Sequence, residues 1–277
     1  PATGTAATSS SVTINSGAAT KLVVTGTGTQ TAGGSQTITI TAKDANGNTA
    51  TTYTGTKSIT FSGANSSSSP VTAPTIAGTS IGSTTNISFS NGVATASMIL
   101  YKAESATIAA TDGSIVAASL DRLSVTVSES TMSKIAVNLA STQTNGVAFT
   151  GTNDVSALDA YGNLITNFDV SQNHITVTTN LNGAITGFTG VNVLTAAGAF
   201  VNGSATVSTK MTYTGEVGTG TFTFTPASGT AATSGNVTIL PGAATKLVIT
   251  GSATQTAGGA QTITITAKDG SGNVATG

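Results

Sequence analysis

Few side chains in this sequence have chemistry to offer. Gly78-Thr79-Ser80-Ile81-Gly82 fits G-x-S-x-G, the nucleophile elbow, which needs a strand entering and a helix leaving so that the serine is held beside its base. No helical period follows Gly82, and a chain this rich in Gly, Ser and Thr produces such a match by chance. His174 is the single histidine. A lone imidazole can act as base or ligand, but this one stands in Asn173-His174-Ile175-Thr176-Val177, an alternating strand pattern without clustered carboxylates, where a surface position is the simpler reading. Asp44, Asn46 and Asn48 have the D-x-N-x-N oxygen spacing of a calcium loop. The version from Asp159 to Asn163 puts Tyr161 in the middle and that from Asp269 to Asn273 puts Ser271 there; neither supplies the trailing bidentate glutamate of an EF-hand. Turn chemistry accounts for all three, and calcium is the alternative. No nucleophile, base and oxyanion donors can be grouped, so the expectation is a non-enzyme without cofactor.

Asn65 with Ser67, Asn86 with Ser88, Asn202 with Ser204 and Asn236 with Thr238 fit the N-x-[ST] sequon. In so hydroxyl-rich a chain chance suffices, with glycosylation of Asn65 or of exposed hydroxyls as the alternative. Charged residues make up 7% of the chain, against roughly 25% in ordinary soluble domains. The net charge of −1 offers no basic stripe, so the counterion release that drives nucleic-acid binding is missing and nucleic acid is excluded as a partner. No apolar run approaches the roughly 18 residues of a membrane span, so no membrane contact is expected. Cysteine is absent, which removes disulfides, thiolate metal sites and thiol catalysis together. Disorder is not expected either: the chain is 38% hydrophobic, has a mean hydropathy of +0.22, and is dense in Val, Ile and Thr, the residues that suit a half-buried sheet.

The elements that would position these residues are written twice. Gly17 to Thr52 aligns without a gap on Gly242 to Gly277, 225 residues later, and the segment from Pro1 reappears from Pro226. The chain is therefore a window onto a tandem array. A fainter repeat lies inside it. Lys134 answers Lys21, Gln143 and Thr144 answer Gln30 and Thr31, Asn163 answers Asn48, Asn202-Gly203 answers Asn91-Gly92, and Tyr213 with Glu216 answers Tyr101 with Glu104. These spacings scatter narrowly about a unit of about 112 residues, as loop insertions between fixed strands would produce.

Within a unit the period is two. Lys21 to Thr25 opens as a strand, and Gln36 to Ala42 turns Ile38, Ile40 and Ala42 inward and three threonines outward. Asp44 to Asn48 reverses the chain. Ser58 to Ser62 is the next strand, and Gly63 to Thr85 is expected to be a long loop with one short edge strand. Asn86 to Ser90 and Val93 to Tyr101, joined at Asn91-Gly92, are expected to form a hairpin. Glu104 to Ala110 and Arg122 to Val127 close the unit, with Leu123, Val125 and Val127 on one face. Val12 and Ile14 alternate in the same way and match the strand from Asn236 to Leu240. No sustained helical period occurs anywhere.

Lys21-Leu-Val-Val-Thr-Gly, the Thr31-Ala-Gly-Gly before a Thr/Ile strand, Ala42-Lys-Asp-Ala-Asn-Gly-Asn and Asn91-Gly-Val-Ala-Thr resemble the bacterial immunoglobulin-like repeats of invasin- and intimin-type surface proteins and related giant adhesins. The resemblance covers nearly the whole chain twice and rests on strand and turn motifs, so it implies a fold and a cell-surface setting and no catalytic residue. The expected fold class is all-β: tandem immunoglobulin-like sandwiches of about seven strands in an extended array. The expected division is residues 1–16 as the last strand of a preceding domain, 17–128 and 129–240 as two sandwiches, and 241–277 as the start of a further one. Pro1 in place of Met, and a last segment too short for a core of its own, lead to the expectation that the polypeptide continues in both directions. The expected role is a structural repeat of a long extracellular protein, in a filament, surface layer or stalk, whose strand ladders resist extension and whose partners are copies of itself packed laterally or end to end. Spacer repeats of an adhesin are the alternative, and direct glycan binding by the loops from Gly63 to Thr85 and Leu181 to Val191 is the weaker one, since Trp is absent.

Overall fold

The computed structural model describes residues 7–189, 192–196 and 199–276. The chain divides into two compact units, Pro1–Ser128 and Glu129–Gly277.

The first unit is built from β1 (Lys21–Thr25), β2 (Thr29–Thr31), β3 (Ser35–Lys43), β4 (Gly55–Ser62), β5 (Thr75–Ile76), β6 (Thr79–Ser80), β7 (Thr84–Phe89), β8 (Val93–Ile99), β9 (Glu104–Thr111) and β10 (Leu123–Ser128). One sheet has the order β1-β3-β8-β5-β6 and the other β2-β10-β9-β4-β7. Taking β1, β3, β8 and β5 as A, B, E and D, and β4, β9 and β10 as C, F and G, this is the immunoglobulin-like division of strands between two layers, with β7 added beside β4. The inward positions of the alternating strands fill the space between the sheets: Leu22, Val24, Ile38 and Ile40 from one, Ile59, Phe61, Ile108 and Val125 from the other, all buried. The core is aliphatic with few rings, and the outward positions carry Thr and Ser.

Three features depart from the expectations above. The Asn91-Gly92 turn forms, with φ of 47° and 81°, and Ser90 bridges Val93 antiparallel across it, but the hairpin pairing goes no further. β7 pairs with β4 and β8 with β3, so the turn carries the chain from one sheet to the other. Gly92 is obligatory here, because a Cβ would lie 2.6 Å from the Ala50 carbonyl oxygen in a left-handed conformation. Secondly, the segment from Gly63 to Thr85 holds two short strands, β5 and β6, paired with each other at the sheet edge, where one was expected. Thirdly, residues 7–20 contain no strand, and Val12 and Ile14 are exposed. The matching segment in the second unit is paired on both sides by strands of its own sandwich.

The opening strand is split between the layers. β1 pairs antiparallel with β3, then the chain crosses at Gly26 to Gly28 and β2 pairs parallel with β10, Thr29 to Thr31 against Thr126 to Ser128. Gly26 permits the crossing, since a Cβ there would meet Leu123, Gln36 and Ile38 side-chain atoms at 3.0 to 3.2 Å. Buried Gln30 pins the far side, its amide donating to the carbonyl oxygens of Gly34 and Met98 and accepting from Gln36 Nε2 at 3.2 Å.

In the second unit, β11 (Lys134–Asn138), β12 (Thr142–Thr144), β13 (Asp154–Leu158), β14 (Ile175–Thr179), β15 (Gly183–Thr186), β16 (Val193–Leu194), β17 (Ser204–Thr206), β18 (Thr212–Gly215), β19 (Gly218–Gly220), β20 (Phe222–Pro226), β21 (Ala232–Thr233) and β22 (Val237–Leu240) form a second sandwich. The split opening strand recurs: β11 pairs antiparallel with β13 and β12 parallel with β22. The core here is more aromatic, Phe222 meeting Phe149 and Tyr213 edge-on at 5.4 and 5.9 Å. Gly146 donates to the Tyr213 carbonyl as Gly33 does to that of Leu100, both at 2.8 Å. Tyr213 thus stands in the place of Leu100, one residue from the expected match with Tyr101.

After this sandwich, β23 (Lys246–Thr250) and β24 (Thr264–Lys268) form a ladder in which Lys246 faces Lys268, as Lys21 faces Lys43 in the first unit. Leu247, Ile249, Ile263 and Ile265 are exposed, whereas their counterparts Leu22, Val24, Ile38 and Ile40 are buried.

Candidate functional site

The three aspartates first considered as calcium ligands are buried at the reversal after the second long strand of each repeat. The peptide N–H groups of Asn46 and Asn48 donate to Asp44 Oδ1 at 3.0 and 2.9 Å. Asn48 Nδ2 donates to Oδ2 at 3.2 Å. Oδ2 also accepts the N–H of Gly17 at 2.9 Å, 27 residues back. Asp159 repeats the set with Tyr161, Asn163 and, from the linker, Ser130 at 3.0 Å. Asp269 repeats it with Ser271, Asn273 and Gly242 at 3.1 Å. Each carboxylate therefore closes its own turn with one oxygen and ties down the segment leading into the repeat with the other. N–H hydrogens point where a cation would need open lone pairs, so this donor set suits a structural carboxylate rather than an oxygen-liganded ion. Among the described residues no three His, Cys, Asp or Glu side chains gather.

The electrostatics follow. The Gly17 N–H bond, helped by Asn48 and Asn46 and opposed by desolvation, holds the Asp44 carboxyl below its usual range. At Asp269 burial opposes ionisation, but the bonds from Asn273, Asn145 and Gly242 outweigh it and hold the carboxyl well below the usual carboxylate range.

Ser80 is exposed in β6, opposite Thr75, and a turn rather than a helix follows it; its unit contains no histidine. His174 is exposed, one residue ahead of β14. The four sequon asparagines are exposed. Asn65 is also clamped, its N–H and Nδ2 donating to the Glu104 carboxylate at 2.7 and 2.8 Å. Of the two candidate glycan loops, the first is described throughout, while Gly190 and Val191 of the second lie outside the described residues. Tyr53 lines a shallow cavity with Lys57 and Asp112. Its hydroxyl donates to Asp112 at 2.7 Å and Lys57 Nζ sits 4.8 Å from its ring centroid, so its polar groups are satisfied internally.

Sequence reasoning missed the reach of each aspartate back to the linker. The signal was present, since Gly17 to Asp44 and Gly242 to Asp269 are literal repeats, but a turn motif does not say where its second carboxylate oxygen points. Cross-strand hydroxyl pairs recur on the outward strand faces, such as Ser35 with Ser97, Thr60 with Thr84 and Thr223 with Thr233, at 2.8 to 3.2 Å. Ion pairs join Lys21 with Asp121 and Lys102 with Glu104. No described helix is long and apolar enough to cross a membrane.

No protein-family profile matches the chain, and no curated protein matches it. Solved structures do match. Domains 4–9 of the surface layer protein SbsC are similar at 18% identity and a TM-score of 0.26, over 84% of this chain and 33% of that one. Invasin, a bacterial integrin-binding protein, is similar at 15% and 0.36, over 93% and 48%. InvD of Yersinia pseudotuberculosis is similar at 18% and 0.35, over 92% and 71%. The chain thus spans about a third of the first and about half of the second. Likenesses of this size leave the function to the chain's own residues.

Proposed function

We propose that this chain is a non-enzymatic structural repeat of a long extracellular protein, an element of a filament, surface layer or stalk. The observation that carries this reading is the threefold recurrence of the buried aspartate that binds the segment leading into its own repeat. Such a device fixes the chain where one repeat begins, and a protein whose task is to span distance needs that at every start. The hydroxyl-paved faces add a second support, because they carry few like charges to hold neighbouring copies apart. In this reading copies pack laterally or end to end, and nucleic acid, membrane and catalysis play no part. Native cell-surface material viewed by electron microscopy is expected to show fibres or a lattice with a spacing of two domains. Isolated, non-associating chains would sink the proposal. They would favour instead the spacer repeats of an adhesin, whose complete reading frame should end in a non-repeating domain.

A further inference from the structure

One corresponding backbone position is used differently in the two sandwiches. In the first, Ala32 donates its N–H to the Ser128 carbonyl at 2.8 Å and Gly33 donates to that of Leu100. In the second, Asn145 donates its N–H to the Leu240 carbonyl at 2.9 Å and Gly146 to that of Tyr213. Asn145 therefore holds the backbone place of Ala32. Its side chain, buried, does something an alanine has no atoms to do. Asn145 Nδ2 donates to Asp269 Oδ2 at 2.8 Å and Oδ1 accepts the Gly215 N–H at 2.9 Å. Asn273 Nδ2 donates to the Gly215 carbonyl at 2.9 Å. The amide thus satisfies an acceptor on the following repeat and a donor on its own sandwich at once. An aspartate of the same shape would set oxygen against oxygen.

We infer that Asn145 is a receptor for the head of the next repeat, and that its partner is the Asp-x-x-x-Asn turn. This deepens the tandem-array reading and rests on it. The literal repeat gives Ala257 at the place of Ala32, so only the second type of sandwich carries the amide. Asp44 to Asn48, the counterpart of Asp269 to Asn273, marks the heads of the first type. A second-type sandwich latches the head after it with a side-chain bond.

The test uses the full chain, which is free of cysteine, with spin labels at Val201→Cys on the second sandwich and Thr264→Cys on β24, both exposed positions. The parent is expected to give a narrow distance distribution. Asn145→Ala and Asn145→Asp should broaden it and speed amide exchange at Gly242 by about tenfold, the worth of one well-placed buried hydrogen bond, while exchange at Gly17 stays unchanged. Asp269→Asn, which alters the hairpin and spares the sandwich, should broaden it too and guards against a misfolded Asn145 variant. A broad distribution in the parent, or a narrow one in Asp269→Asn, overturns the latch. Neither result depends on whether native material forms fibres, so this inference and the proposed function can fail separately.

Discussion

At the scale of single residues the chain invests its few charges in holding itself together. Asp44 and Asp269 both have carboxyls lowered by hydrogen bonds made only in the folded state. A group with a depressed native pKa contributes stability that is present above its unfolded value, about 3.9 for aspartate, and is lost as pH falls through the native value. Denaturant midpoints should therefore hold steady from neutral pH down to about 4 and fall below it, and Asp44→Asn should flatten that fall in the first unit. An unchanged acid limb in the variant would show that Asp44 is not the group responsible. The turn residues were legible in the sequence as turn formers. The tie back to Gly17, Ser130 and Gly242 was not, because it joins residues 27 or 29 positions apart through an oxygen that a local motif does not address.

At the scale of elements, alternation told which side chains face inward. Ile38, Ile40 and Ala42, and Leu123, Val125 and Val127, are buried as their spacing requires. It did not tell which sheet a strand joins. Asn91-Gly92 is the turn its residues specify, yet its flanking strands part into opposite layers, since the inward faces of β7 and β8 are satisfied equally well across the core as side by side. Nor could composition reveal that three residues after a Gly-rich break, Thr29 to Thr31, pair parallel with the last strand. Burial, and not strand pattern, decides the energetic worth of the shared residues. Leu22 is 0% exposed and Leu247 70% exposed in otherwise matching ladders. Leu22→Ala should cost about 2–5 kcal/mol and Leu247→Ala less than about 0.5 kcal/mol in urea melts of this chain. Equal costs would mean that the outer ladder is covered after all.

At the scale of the whole molecule, the scarcity of charge sets what the proposed packing of copies would feel. With 7% charged residues, association between copies has little Coulombic attraction or repulsion to screen. Raising salt from about 0.05 to 0.5 M shortens the Debye length severalfold, and sedimentation should nevertheless show association changing by less than about twofold. A steep salt dependence would point to a charged docking patch and away from packed hydroxyl faces. The parallel pairing of β2 with β10, repeated by β12 with β22, has one more consequence. The second half of the opening strand and the last strand of each sandwich lie side by side and run the same way, so tension applied at the two ends slides them past each other lengthwise. Their hydrogen bonds are loaded in shear and must give way together, where an antiparallel pair pulled from one end would peel apart bond by bond.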